Sequence, residues 1–169
     1  TVAQHFKPGI IAGAVATDLV GVDPYDNDFH KAGFTAGGFL TNQLSDKNSI
    51  QFEILYTQKG SLQPADSSNN YTYYKLNLNY VEIPLILKHY FVFNIKEKKV
   101  DRFFIDFGPS YGRLVKIKQT NTYGAFFDDN QFKKNELALN LGVGCNITKN
   151  LAFYVRYANS IIPVVKHKE

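Results

Sequence analysis

Asp23, Asp26, Asp28 and His30 form the one stretch of this sequence where acids and a histidine crowd together. An imidazole beside carboxylates can work as a general base, and the same groups can hold a divalent cation. Either would make a rim site on whatever fold carries it. The spacing matches no metal-binding loop, however, and Asp, Asn and Pro favour turns through their own local hydrogen bonds, so the segment reads first as a solvated turn. The remaining histidines, His5, His89 and His167, lie far apart, and no histidine stands in the His-x-Ser pattern that a lipid-modifying hydrolase would suggest. No catalytic set, metal set or cofactor is assigned, and a protein that is not an enzyme is expected.

A second group of ionisable residues is dispersed along the chain: Glu53, Lys59, Glu82, Lys88, Asp106, Lys116 and Arg156. Each lies on the polar side of a stretch in which every second residue is apolar. In "ELALNLGVGCNITKNLAFYVRYA" the apolar positions are Leu137, Leu139, Leu141, Val143, Cys145 and Ile147, then Leu151, Phe153, Val155 and Tyr157. Period-two alternation predicts strands. Similar runs cover residues 6–17, 30–41, 49–60, 74–91 and 102–117, which makes seven strands with the two just quoted. In the fourth, the apolar set moves from Leu76, Leu78 and Tyr80 to Val81, Ile83, Leu85 and Leu87, which predicts a β-bulge between Tyr80 and Val81.

The elements that would carry these charges are long. Most match or exceed the roughly 9–11 residues that cross a membrane as a tilted strand, against a usual strand of about 5–6. Connections alternate long and short along the chain, as when outer-membrane barrels keep long loops outside the cell and short turns in the periplasm. The face opposite the apolar one supports the same reading. In the sixth strand it carries Glu136, Ala138, Asn140, Gly142, Gly144 and Asn146, whose small members suit a crowded interior and leave room for long side chains from neighbours. The charged residues then meet inside a lumen, where their mixed signs let them pair. Tyr74, Tyr80, Tyr90, Phe91, Tyr111, Tyr154 and Tyr157 are expected as an interfacial aromatic girdle.

Composition agrees. The chain has 169 residues, enough for a single domain over 1–169, and 15% are aromatic, with 14 Phe, 11 Tyr, 12 Gly and no Trp, a mixture of strand formers. One cysteine, Cys145, excludes an internal disulfide. The net charge of +4 comes from basic residues spread along the whole length, with "KEKK" at 96–99 the one cluster, so nucleic acid is not an expected partner. The chain starts at Thr1 and contains no Met, which suggests a mature chain after signal-peptide removal, or a clipped one. Strands one and seven would both rise from the periplasm, so an eighth, descending strand is expected at the C-terminus, clipped or supplied by a partner. The fold class is all-β: an antiparallel up-and-down transmembrane β-barrel of eight strands, seven of them visible. About eight strands give an interior filled by side chains, which excludes a wide pore.

The segments "YTQKGS" (56–61), "YVEIPLILKHYF" (80–91) and "FIDFGPSYGRLV" (104–115) resemble, in that order, the pattern of the PorT-family outer-membrane β-barrel proteins. The resemblance extends over nearly the whole chain, with Glu-Ile-Pro-Leu its most specific part. It implies a small eight-stranded barrel in the bacterial outer membrane, from bacteria that use type IX secretion. The functional expectation is a non-catalytic outer-membrane barrel acting as an accessory or partner-binding component, with a link to protein secretion. Its partners would be outer-membrane lipid and lipopolysaccharide, and other outer-membrane or secretion-system proteins. Aromatics in the long loops, Tyr25 and Phe29, Tyr71 and Tyr73, and Phe126 and Phe127, are the candidates for partner contact. The alternatives are a soluble lipocalin-like barrel binding a small apolar ligand, and a rim enzyme using His30.

Overall fold

Alternating sequences of this kind bury one face and expose the other. The computed structural model describes residues 6–17, 31–63, 73–95, 98–121 and 133–161, without the side chains of 63, 74, 92–95, 98–102 and 121. Every regular element among them is a strand: β1 (Phe6–Thr17), β2 (Lys31–Gln43), β3 (Asn48–Gln63), β4 (Tyr74–Ile95), β5 (Lys98–Asn121), β6 (Asn135–Asn146) and β7 (Ala152–Ser160). They form one antiparallel sheet in sequence order. β3 and β5 run further than the apolar alternation predicts at the end of the long connections, and β4 and β5 run further at the opposite end, where Ile95 pairs with Lys98.

The sheet curls on itself. Arg156 on β7 reaches Glu53 on β3, and Lys59 on β3 reaches Glu136 on β6, so strands far apart in the sheet face each other across an interior. Among the described residues β1 pairs with β2 alone and β7 with β6 alone, which leaves the curl as an open half-barrel. Glycines on the concave side sharpen the bend. A Cβ added at Gly37 would overlap the Ile54 carbonyl, and one at Gly108 the Leu85 carbonyl, so neither position accepts a side chain without moving a neighbouring strand. Two prolines interrupt the ladder near its middle. Pairing of β3 with β4 skips the positions beside Pro84, and pairing of β4 with β5 skips those beside Pro109, as residues without an N–H require.

The apolar face points outward along the main wall. Phe52, Ile54, Leu85, Ile105, Phe107, Leu139, Leu141, Val143, Phe153 and Val155 are all exposed, while Ser49, Gln51, Glu53, Thr57, Asp106, Ser110 and Asn140 are buried on the concave side. A soluble lipocalin-like barrel would have the reverse arrangement. From Phe103 to Tyr111 the outward residues of β5 span ~27 Å of strand, or ~20 Å along the normal at a tilt of ~40°, close to the ~25 Å apolar band of outer-membrane barrels.

Above that band the pattern inverts, and this corrects the expected bulge in β4. The β3–β4 register is unbroken from Leu55↔Glu82 to Gln63↔Tyr74, so β4 does not slip there. Leu76, Leu78 and Tyr80 stay on the concave face and are fully buried; it is their surroundings that change. The irregularity belongs to β5. Asn79 pairs with Lys116 while Tyr80 pairs with Leu114, so Val115 is the extra residue and the parity of β5 reverses beyond it. The long tops of β4 and β5 therefore form an extension with an apolar inner face of Leu76, Leu78 and Ile117 and a polar outer one, while β3 brings Lys59 and Ser61 to the same inner side. Gln58 Nε2 donates to Asn79 Oδ1 at 3.2 Å on that outer side.

Candidate functional site

Two clusters of polar side chains lie in the lumen. The deeper centres on Arg156. Its Nη1 and Nη2 donate to Glu53 Oε2 and Oε1 at 2.9 and 3.0 Å, and its Nη2 and Nε donate to Asp106 Oδ2 and Oδ1 at 3.0 and 3.3 Å. One planar guanidinium thus holds two carboxylates in forked geometry, the arrangement its fixed donors suit. Both carboxylate side chains are fully shielded from solvent. Gln51 Nε2 adds a bond to Glu53 Oε1 at 2.7 Å, and Thr41 Oγ1 donates to Gln51 Oε1 at 2.8 Å, which extends the network to β2.

β6 makes this bridge possible by being small. Gly142 stands between Asp106 on β5 and Arg156 on β7 in the register, and a Cβ there would overlap the Asp106 carboxylate. Gly144 likewise stands between Phe104 and Tyr154, where a Cβ would overlap the Phe104 ring. Lys88, beside Asp106 across the β4–β5 pair, places its ammonium 4.8 Å from the Phe104 ring centre and 5.8 Å from that of Tyr154. Those are cation–π distances. The Arg156 guanidinium lies 4.9 Å from the Tyr154 ring centre, so Tyr154 serves both cations.

The shallower cluster centres on Lys59. It forms salt bridges to Glu82 and to Glu136, with both Glu136 oxygens at 3.0 Å. Thr57 Oγ1 donates to Glu82 Oε2 at 2.7 Å and lies 3.0 Å from Thr35 Oγ1. The Tyr80 ring underlies the ammonium at 5.2 Å. Higher still, Lys31 Nζ donates to the Lys59 carbonyl at 2.8 Å, and Thr17 Oγ1 donates to the Gly60 carbonyl at 2.8 Å, tying the tops of β1 and β2 to β3. Gly60 has φ of 149°, where a side chain would be strained.

Glu53, Lys59, Glu82, Lys88, Asp106 and Arg156 thus lie in the lumen. Lys116 does not. The extra residue Val115 turns it outward beside Asn79, where it is exposed, so its assignment to the lumen set is corrected. Glu136, Gln51 and Asn140 also belong to the interior, on the polar face where alternation puts them, although the expected charge set did not include them. The expected girdle also divides. Tyr80, Tyr90 and Tyr154 face inward, with Tyr90 accepting a bond from Ser49 Oγ at 3.3 Å, whereas Phe91, Tyr111 and Tyr157 face out. Phe34 and Tyr56, ring centres 5.9 Å apart, join Tyr111 near the upper edge of the apolar band.

Of the loop aromatics, Tyr73 is half-buried beside the start of β4. Tyr25, Phe29, Tyr71, Phe126 and Phe127 lie outside the described residues, as does His30 with its neighbouring aspartates. His89 sits at the opposite end, its Nδ1 2.8 Å from Asn48 Oδ1. Among the described residues, no group of three His, Cys, Asp or Glu side chains could hold a metal ion.

An apolar outer wall around a charge-paired interior is what a sheet needs in lipid, where every backbone group must be satisfied within the structure. A family model described as outer membrane protein beta-barrel domain matches residues 2–166. No curated protein and no solved structure matches the chain.

Proposed function

The chain belongs to the family of outer membrane protein beta-barrel domains, and from that premise we propose that it is a plugged, non-catalytic barrel acting as an accessory or partner-binding component of the outer membrane. The observation that supports the plug is the Arg156 bridge, which ties β7 to β3 and β5 across the interior. Glu53 and Asp106 neutralise it, which supports an interior plugged by paired side chains over one lined by free charge. Partner contact falls to the long connections, residues 18–30, 64–73 and 122–134, which all join strands at one end. Their aromatic residues, Tyr25, Phe29, Tyr71, Tyr73, Phe126 and Phe127, are the contact candidates. The resemblance of three segments to the PorT family points to protein secretion as the process served.

β1 and β7 run in the same direction along the sheet, so one antiparallel strand between them would close the barrel. Open edges in lipid leave backbone groups unpaired at several kcal/mol each, which favours such closure.

Conductance across a planar bilayer tests the plug. The wild-type protein is expected to give no stable channel, and a steady, size-selective conductance would overturn the reading. For partner contact, alanine at Tyr25, Phe29, Phe126 and Phe127 is expected to abolish cross-linked complexes in cells while heat-modifiability on gels stays unchanged. Complexes that survive all four substitutions would remove the loops from the proposal.

A further inference from the structure

The bulge at Val115 has a chemical consequence on the outside of the wall. Below it the outward residues of β5 are the odd ones, ending at Tyr111 and Arg113. Beyond it they are the even ones, Lys116 and Lys118, which the register places beside Asn79 and Asn77. One extra residue therefore turns Arg113, Lys116 and Lys118 all outward on the same strand, and all three are exposed. Without the bulge both lysines would face the apolar inner side of the extension, against Leu76 and Leu78.

Their height is as informative as their charge. Arg113 stands one outward position above Tyr111, so it lies ~5 Å further along the normal, and the lysines follow above it. Tyr111, Tyr56 and Phe34 mark the upper edge of the apolar band, and aromatic residues sit at headgroup level. The basic row thus starts where lipid headgroups start, on the end of the barrel that carries the long connections. Among the described residues no acid balances it on that face. Every strand carboxylate whose side chain is described, Glu53, Glu82, Asp106 and Glu136, points into the lumen.

We propose that Arg113, Lys116 and Lys118 form a docking row for the phosphate groups of the anionic glycolipid in the outer leaflet. The proposal rests on the outer-membrane reading and gives the expected lipopolysaccharide contact a place on the chain. Guanidinium and ammonium groups held at the headgroup plane pair with phosphate by charge-assisted hydrogen bonds. The apolar wall directly below, with Ile105, Phe107 and Tyr111 exposed, receives the acyl chains of the same molecule. A free phosphate ion would gain from the first contact and not the second, which favours a lipid.

The test compares diphosphorylated with dephosphorylated lipid A binding to the full protein in zwitterionic detergent, for the wild type and for Arg113→Gln, Lys116→Gln and Lys118→Gln singly and together. The wild type is expected to prefer the phosphorylated lipid at least tenfold. Each glutamine should weaken that binding by about fivefold, the effect of one basic residue at an anionic surface, and the triple variant should lose the preference. Lys116→Arg with Lys118→Arg should keep it. Equal binding of both lipids by a wild-type protein that remains heat-modifiable would overturn the row while leaving the membrane reading intact. Displacement of the lipid by inorganic phosphate at comparable concentration would also overturn it, because it would mark a free-anion site. Should the triple variant fail to fold, the single variants decide, and unchanged affinity in all three counts against the proposal. Loss of heat-modifiability in the wild type would instead sink the membrane reading itself.

Discussion

The β4–β5 hairpin is built two ways in one continuous pair of strands. From Glu82 and Gly112 downward its outer face is apolar and its inner face carries Lys88 and Asp106; from Tyr80 and Leu114 upward, Leu76 and Leu78 are inside and Asn77, Lys116 and Lys118 outside. β4 keeps one parity through both halves and β5 changes its own at Val115, so the pair is matched to a change of solvent. Lipid takes apolar side chains from the lower wall and forces the charges inward, where they must pair. Water takes the polar side chains of the upper part, and its apolar residues collapse on each other as in any soluble sheet.

The largest expected effect breaks the lower half from inside. Arg156→Ala leaves Glu53 and Asp106 buried without their cation and is expected to cost ~3–5 kcal/mol, read from urea titration of the protein folded in vesicles. Replacing all three by apolar residues of matching volume should recover most of that loss, since the pairing stabilises mainly by cancelling its own desolvation. In the upper half the equivalent damage comes from an apolar truncation. Leu78→Ala, at a fully buried site, should cost ~2–5 kcal/mol in the same titration.

A charge placed on the outer face separates the halves directly. Ile105→Arg faces lipid and is expected to cost ~2–4 kcal/mol near the bilayer midplane. Asn77→Arg, on the outer face of the extension, should stay within ~0.5 kcal/mol. Equal costs for the two would dissolve the distinction. Between these lies Gly142→Ala, whose added methyl overlaps the Asp106 carboxylate, at ~1–3 kcal/mol of overpacking.

The strands were legible because alternation needs nothing beyond the chain itself. β1 ends where its pattern ends, at Thr17, and β6 and β7 show their faces at every position. What the alternation could not distinguish was a slip of the chain from a change of solvent, since both move apolar residues to the other parity. The switch at Tyr80 and Val81 was therefore assigned to a bulge in β4, while the bulge actually present, at Val115, left no such mark: Val115-Lys116-Ile117 continues the odd-numbered apolar set of Phe103, Ile105 and Phe107 as an unbroken strand would. Lys116 was misplaced for that reason. Tyr80, Tyr90 and Tyr154 were misassigned to the girdle because a tyrosine ring suits a headgroup and a lumen cation equally well. The lumen charges were easier to find, since a lipid-facing strand carries its charge on one side.

The most direct test of the inversion is quenching of single environment-sensitive labels by lipid-soluble and water-soluble quenchers, in a Cys145→Ser background reconstituted in vesicles. Labels at Ile83→Cys, Ile105→Cys and Leu141→Cys should respond to the lipid-soluble quencher, and labels at Asn77→Cys and Lys118→Cys to the water-soluble one. A label at residue 77 or 118 quenched from the lipid, or one at 83 shielded from it, would contradict the account.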